Sequence, residues 1–211
     1  MKTYLFDFDG TLVDSMPTWS GVMKRILEEG DVPYGSDLIK IITPLGALGT
    51  ARYFISLGLE LSDEEILEKM NRYIVKEYSE NVPEKEGVIE TLNKMKERGD
   101  SLNVLTASRH VALDPCLKRL GIFDIFDNVW SCDDFATTKS NPEIYAMAAE
   151  RLGKSVSEVI FVDDNLNADK TAKSAGMTVY GIYDESSKDY IKEIKAATDA
   201  YLYNFAEILN L

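Results

Sequence analysis

The residues of this chain best suited to chemistry are carboxylates paired at the ends of apolar runs. Asp7 and Asp9 follow Tyr4, Leu5 and Phe6 and precede Gly10, which reads as a short buried strand breaking into a turn. Residues two apart on a strand point the same way, so both carboxyl groups are expected to project from its C-terminal end. Like charges that close are unfavourable without a cation or a shared proton. Asp163 and Asp164 repeat the arrangement after the apolar run 159–162, where two acids are costly unless a cation is present. Taken alone, each pair is also compatible with a solvated turn or a helix cap. Thr106 ends the run 101–106, where its hydroxyl and the backbone N–H of Ala107 can meet a phosphate oxygen or simply close a turn. Lys139 stands just before Asn141 and Pro142, a cap residue and a first helical position. Its ammonium and the free N–H groups of that helix would converge on one small region, although a loop lysine is usually just solvated.

For these groups to meet, each must lie at the carboxyl end of a strand in one parallel sheet. The patterning predicts strands over 101–106, 129–131, 158–163 and 178–183 beside the first, with helices over 88–98, 113–120, 142–152 and 168–175. A short strand and helix are expected around 201–209. Strands alternating with helices give an α/β fold, a parallel sheet covered on both faces. Residues 17–79 contain no good strand. Trp19, Val22, Met23, Ile26 and Leu27 recur at helical spacing before Gly30, a second helix is expected over 47–57, and Ser62 with Glu65 forms a capping box ahead of Ile66, Met70, Tyr73 and Ile74. The domains expected are a core of residues 1–14 and 86–211 and a helical insert of residues 15–85, with pivots near 14–17 and 82–87.

At 211 residues and 45% apolar composition the chain can bury one good-sized core and a small inserted domain. With 36 acidic against 23 basic residues its net charge is −13, which argues against nucleic acid or an anionic membrane as partner. The apolar runs fall far short of a membrane span and the first residues lack a secretion-signal pattern, so a cytoplasmic protein is expected, monomeric or weakly homodimeric. Cys116 and Cys132 sit in dissimilar contexts and are expected to be reduced thiols.

DFDGTLVDS, from Asp7 to Ser15, closely resembles the first signature of the haloacid dehalogenase-like hydrolases. Thr106, Lys139 and the Asp163–Asp164 pair, with Asp169 beyond it, follow in the order of the family's other three signatures. Around Lys139 the motif K-S-N-P departs from the family's K-P-x-P by Ser140, which costs rigidity but not charge. The insert is similar to the cap of the phosphoglycolate phosphatase and β-phosphoglucomutase branch. The resemblance implies a Rossmann-like core with a helical cap, and an Mg²⁺-dependent phosphatase in which Asp7 becomes an aspartyl-phosphate and Asp9 serves as general acid and base. It implies Mg²⁺ ligation by a carboxylate of Asp7, the backbone carbonyl of Asp9 and Asp164, with Asp163 ligating directly or only orienting water. Thr106, Ala107, Lys139 and the backbone N–H groups of Phe8 and Asp9 would hold the phosphoryl oxygens, and the cap would close to exclude water.

A small phosphorylated metabolite, anionic or a sugar phosphate, is the expected substrate. Arg52 is the single charge in 43–52, read as a cap loop, and Ser108 with Arg109 resembles the S-K pair of phosphoglucomutase-like members. The main alternative is a phosphomutase using the same phospho-aspartate, but it must hold a second phosphate, and Arg52 with Arg109 is the minimum for that. A receiver-type signalling module is shorter and places its acidic pair first. A dehalogenase needs no acid at position 9, a phosphonate-cleaving relative needs an imine-forming lysine that the contexts of Lys24 and Lys40 do not resemble, and a catalytically dead binding protein is opposed by the intact catalytic positions. His110, the sole histidine, is given no role.

Overall fold

The computed structural model describes residues 1–211, the side chain of Pro44 excepted. The chain divides into two compact units, Met1–Asp14 with Val82–Leu211, and Ser15–Asn81. Strand β1 (Thr3–Phe6) opens the first unit and is buried along its whole length. Its neighbours lie on both sides and both its faces are covered, which is why it reads as a continuous apolar run and not as an alternating one.

The second unit is helical: α1 (Met16–Glu29), α2 (Leu38–Ile42), α3 (Gly46–Ser56) and α4 (Asp63–Glu80). Val22, Met23, Ile26, Leu27, Ala51, Phe54, Ile66 and Met70 form its core. The capping box opens α4 as expected, with the Ser62 hydroxyl accepting from the Glu65 N–H at 3.2 Å and the Glu65 carboxylate accepting from the Ser62 N–H at 2.8 Å. The helix expected over 47–57 is present as α3, so of the residues 43–52 read as a cap loop only the 3₁₀ turn Thr43–Leu45 lies outside it. Burial of Thr50, Ala51 and Phe54 on one helical face outweighs the modest helix penalty of Gly49, about 1 kcal/mol. The five-residue α2 is too short to show a period in the sequence.

The core unit continues with α5 (Val88–Glu97), β2 (Ser101–Thr106), α6 (His110–Arg119), β3 (Asn128–Ser131), α7 (Glu143–Arg151), β4 (Val159–Asp163), α8 (Leu166–Ala175), β5 (Thr178–Ile182), α9 (Ile191–Ala197) and β6 (Ala200–Leu202). The six strands pair in parallel throughout, in the order β3-β2-β1-β4-β5-β6. Four details depart from expectation. Strand β1 stops at Phe6, so Asp7 and Asp9 lie beyond it. Helix α6 begins at His110 and carries Pro115 inside it, because Ala112, Leu113, Cys116 and Leu117 bury a full stripe and outweigh one lost backbone hydrogen bond. Helix α9 was not foreseen, and the chain closes in a 3₁₀ turn, Phe205–Asn210, not an α-helix. The insert also ends earlier than residue 85: the Asp14 N–H donates to the Pro83 carbonyl at 3.0 Å and the Lys85 N–H to the Leu12 carbonyl at 3.0 Å, which zips residues 83–85 onto the core.

The strand order runs outward in both directions from β1 and β4, so right-handed crossovers place α5 and α6 on one face and α7, α8 and α9 on the other. On the α7–α8 face, Leu5, Leu105, Phe161 and Val179 pack with Ile144, Tyr145, Ala148 and Ala172. On the other, Phe6 meets Tyr4, Phe126 and Phe205 ring to ring. No helix among the described residues is long and apolar enough to cross a membrane. Phe161 anchors the first of these layers, its ring 5.1 Å from that of Tyr145. Phe161→Ala should cost about 3–5 kcal/mol, measured as a lowered urea midpoint at unchanged m-value.

Candidate active site

The point where the strand order diverges puts the ends of β1 and β4 side by side, and ligand sites of open α/β sheets lie in that crevice. The Asp7 N–H donates to the Val162 carbonyl at 2.9 Å, so Asp7 extends the ladder next to Asp163. Asp7, Asp163 and Asp164 are all buried, and one oxygen from each lies within 4.8 Å of the others. The Lys139 ammonium sits between two of them, 2.6 Å from Asp7 Oδ1 and 2.7 Å from Asp163 Oδ2. The other Asp163 oxygen accepts the Asn165 N–H at 2.7 Å.

One ammonium cannot neutralise this group, and the carboxyls respond. Burial pushes Asp7 up to about 7 despite Lys139, which pulls it down. Burial, then the neighbouring Asp163 and Asp7, hold Asp164 well above the ordinary carboxylate range. Asp169 is pushed up to about 10 by burial and then by Asp163 and Asp164, and neither of its oxygens has a partner in the protein. Burial opposes the charge on Lys139, but Asp163 and Asp7 outweigh it and hold the ammonium charged.

The backbone is shaped around this group. Gly10 has φ +77°, and a Cβ there would stand 2.7 Å from Asp164 Oδ1, so both conformation and space demand glycine. The Thr11 hydroxyl lies 3.4 Å from the same oxygen. The Lys85 ammonium donates to the carbonyls of Gly10 and Tyr183, each at 2.6 Å, and to Asp184 at 3.0 Å, clamping the turn to the end of β5. The Tyr145 hydroxyl, 3.0 Å from the Lys139 carbonyl and 3.2 Å from that of Ala168, ties the lysine loop to α8. Lys85 and Tyr145 escape sequence reasoning because their partners are mostly backbone carbonyls, which leave no trace in residue type or spacing.

Asp9 does not join the trio. The chain leaves the strand after Phe6, so the alternation that would align residues 7 and 9 no longer applies, and Asp9 Oδ2 instead accepts the Ser108 hydroxyl at 2.5 Å. Thr106, buried at the end of β2, accepts the Ser108 N–H at 3.0 Å through Oγ1, and Ala107 is exposed at the strand end. Arg109 is exposed and paired with Asp133 at 3.1 Å. His110 places one ring nitrogen 2.8 Å from Asp114 and the other 2.9 Å from Asp134. Arg52 lies in the helical unit, mostly exposed on α3, 3.9 Å from Asp63. Cys116 and Cys132 are both free and buried.

Gly10→Ala should destabilise the protein by at least about 1–3 kcal/mol, the usual cost of a non-glycine residue in a sparsely populated backbone region, measured by urea unfolding. The Asp114 hydrogen bond raises His110 above its ordinary 6.5, against burial and with help from Asp134. A raised imidazole stabilises fully below its unfolded value and loses that contribution as pH climbs through the folded one. The Tm difference between wild type and His110→Gln should therefore be larger at about pH 5.5 than at about pH 9.

Comparison with known proteins bears on the same residues. The profile of the haloacid dehalogenase-like hydrolases matches residues 1–176. The pyrophosphatase PpaX of Bacillus velezensis is 31% identical over 180 residues, spanning 84% of this chain and 81% of that protein. The phosphorylated carbohydrates phosphatase of Thermotoga maritima is 28% identical over 184 residues, 86% of this chain and 85% of that one. The crystal structure of CbbY from Rhodobacter sphaeroides in complex with phosphate superposes with a TM-score of 0.81 at 21% identity, over 99% of this chain and 96% of that one, and so shares the fold. With its acidic trio and lysine at the divergence of a six-stranded parallel sheet and a family profile spanning most of its length, this chain belongs to the haloacid dehalogenase-like hydrolases and is an enzyme of that family.

Proposed function

We propose that this enzyme is an Mg²⁺-dependent phosphatase that hydrolyses a small phosphate monoester through an aspartyl-phosphate on Asp7. The observation that carries this reading is the buried group of Asp7, Asp163 and Asp164 with Lys139 between two of its members. The phosphatase relatives above support the reaction class.

The donor set suits a hard cation. It consists of carboxylate oxygens, one of each acid within 4.8 Å of the others, and the nearby Asp169 keeps two buried oxygens without a protein partner. Asp7 and Asp164 would hold Mg²⁺ together with the backbone carbonyl of Asp9, while Asp163, whose two oxygens already meet Lys139 and Asn165, serves chiefly to fix the lysine. Bound Mg²⁺ supplies charge neutralisation for the carboxylates and the transferring phosphoryl group.

In the first half-reaction an Asp7 oxygen attacks phosphorus in line, the bond to the leaving oxygen breaks, and Asp9 gives that oxygen its proton. In the second, water attacks the phospho-aspartate while Asp9 takes its proton, releasing phosphate and restoring Asp7. Lys139 and the Thr106 hydroxyl, whose oxygen already accepts the Ser108 N–H and so can aim its own proton elsewhere, stabilise the phosphoryl oxygens. The partners of the two arginines favour water over a second sugar phosphate as acceptor. Arg109 pairs with Asp133 and Arg52 lies 3.9 Å from Asp63, so an acid stands beside each of the two cations that the extra phosphate of a mutase would need.

The test is hydrolysis of p-nitrophenyl phosphate with and without EDTA. Activity should vanish with the chelator and return with Mg²⁺ but much less with Ca²⁺, whose coordination is larger and looser. Asp7→Asn should lower kcat by at least about 1,000-fold, as expected when a nucleophile is removed, and abolish the hydroxylamine-sensitive phosphoprotein seen on rapid acid quench. Activity that persists in EDTA would sink the metal assignment, and a phosphoprotein retained in Asp7→Asn would sink the nucleophile.

A further inference from the structure

We infer that Lys85 is a positioning residue for the turn after β1: it holds the backbone at Gly10 and, through it, the Asp9 carbonyl. This rests on the reading of that carbonyl as a ligand of Mg²⁺. The Lys85 ammonium has three protons, and three acceptors meet it: the carbonyls of Gly10 and Tyr183 at 2.6 Å each and Asp184 Oδ2 at 3.0 Å. No proton is left for a substrate, and the side chain is only 18% exposed. A lysine committed in this way acts through what it holds.

One residue grips the turn at two points. The Lys85 backbone N–H donates to the Leu12 carbonyl at 3.0 Å, while its ammonium takes the Gly10 carbonyl two residues earlier. Its neighbour Glu84 forms an antiparallel bridge with Val13. Within the turn the Gly10 N–H donates to the Val13 carbonyl at 2.9 Å, and the Leu12 and Val13 N–H groups donate to the Phe8 carbonyl at 2.9 and 3.1 Å. A trans peptide points its N–H and C=O in opposite directions, so fixing the Gly10 N–H on Val13 also fixes the direction of the Asp9 carbonyl.

Gly10 needs that support. A glycine enters a φ of +77° without steric cost and leaves it as easily. The peptide before Gly10 is held by Val13 and the one after it by Lys85, so the freest residue of the turn is pinned on both sides. The clamp is itself anchored. Buried Asp184 takes the Ser186 N–H at 2.9 Å and the Ser186 hydroxyl at 2.6 Å on Oδ1, which leaves Oδ2 to Lys85. Tyr183 directly follows β5, and its N–H donates to the Leu202 carbonyl of β6 at 2.8 Å. Lys85 thus fastens the turn after β1 to the end of a strand two places away in the sheet. Without the ammonium the Gly10 peptide can rotate, and the Asp9 carbonyl loses its fixed alignment with Asp164, against which Gly10 packs.

This role is separable from that of a buried ion pair. Lys85→Met keeps the apolar stem, removes the ammonium and leaves Asp184 without its cation, which destabilises; adding Asp184→Asn restores the charge balance while the Gly10 carbonyl stays unheld. Both variants and the wild type are titrated with Mg²⁺ by calorimetry, and their Tm is measured. Groups that orient a metal's ligands typically contribute about 10- to 100-fold to its affinity, so Mg²⁺ should bind at least about tenfold more weakly to both variants. The double variant should regain part of the Tm that Lys85→Met loses, but not the affinity. Loss of a nearby positive charge would by its field alone strengthen binding of a cation, so weaker binding in Lys85→Met reports the geometry of the turn. A double variant that binds Mg²⁺ as tightly as wild type would overturn the positioning role and leave the metal reading standing. Wild-type protein that binds no Mg²⁺ would instead remove the metal reading, and the inference with it.

Discussion

Asp7, Asp163 and Asp164 are buried together at the ends of two neighbouring strands, and most of the core unit is arranged to make that burial tolerable. An isolated carboxylate taken out of water costs several kcal/mol even after the protein relaxes. Three would be prohibitive unless charges are offset or protons retained. Lys139 offsets part of the cost, and the upward displacement of Asp7, Asp164 and Asp169 accounts for the rest, because a neutral carboxyl is far cheaper to bury. The surrounding turns then have little freedom. Gly10 must be glycine to let the chain pass Asp164, Lys85 fixes the carbonyl that turn exposes, and Tyr145 fixes the carbonyl of Lys139. Each of these contacts holds backbone, so what the fold supplies is placement of a strained acidic group that local sequence alone would not keep together.

How much of this was legible in the sequence depended on whether the signal was periodic and local. The strand 101–106 and the capping box at Ser62 and Glu65 were readable to the residue, because one is a run of buried apolar side chains after Gly99 and the other a reciprocal hydrogen-bond motif at fixed spacing. The acidic pairs, Thr106 and Lys139 were found because each terminates an apolar run or precedes a helix start, and four such endings fell in one order. Short elements failed for the complementary reason. Helices α2 and α9 span less than two full turns, so no face repeats. The helix expected over 47–57 was legible from its apolar spacing, whereas the reading of 43–52 as a loop overlapped it and gave way to burial that only the folded unit provides.

Asp9 shows how far strand alternation reaches. Residues 7 and 9 share a face only while the chain remains extended. The strand ends at Phe6, and the left-handed Gly10 begins to reverse the chain before a second strand period is complete. The same two carboxylates therefore part company: Asp7 turns into the buried trio and Asp9 toward Ser108.

The charge balance of the trio also bears on the order of binding. The chain as a whole carries a net charge of −13, and at its centre three carboxylates face one ammonium that two of them already engage. A phosphate dianion approaching that group meets repulsion in a setting where low polarity strengthens every charge interaction. Lys139 cannot remove the repulsion, since its charge is already shared between Asp7 and Asp163. A divalent cation bound first would displace the protons that Asp7 and Asp164 retain and balance the ionised carboxylates, whereas phosphate bound first would meet those acids without a balancing charge. On the reading proposed above, a cation held by this group would thus serve substrate binding as well as catalysis.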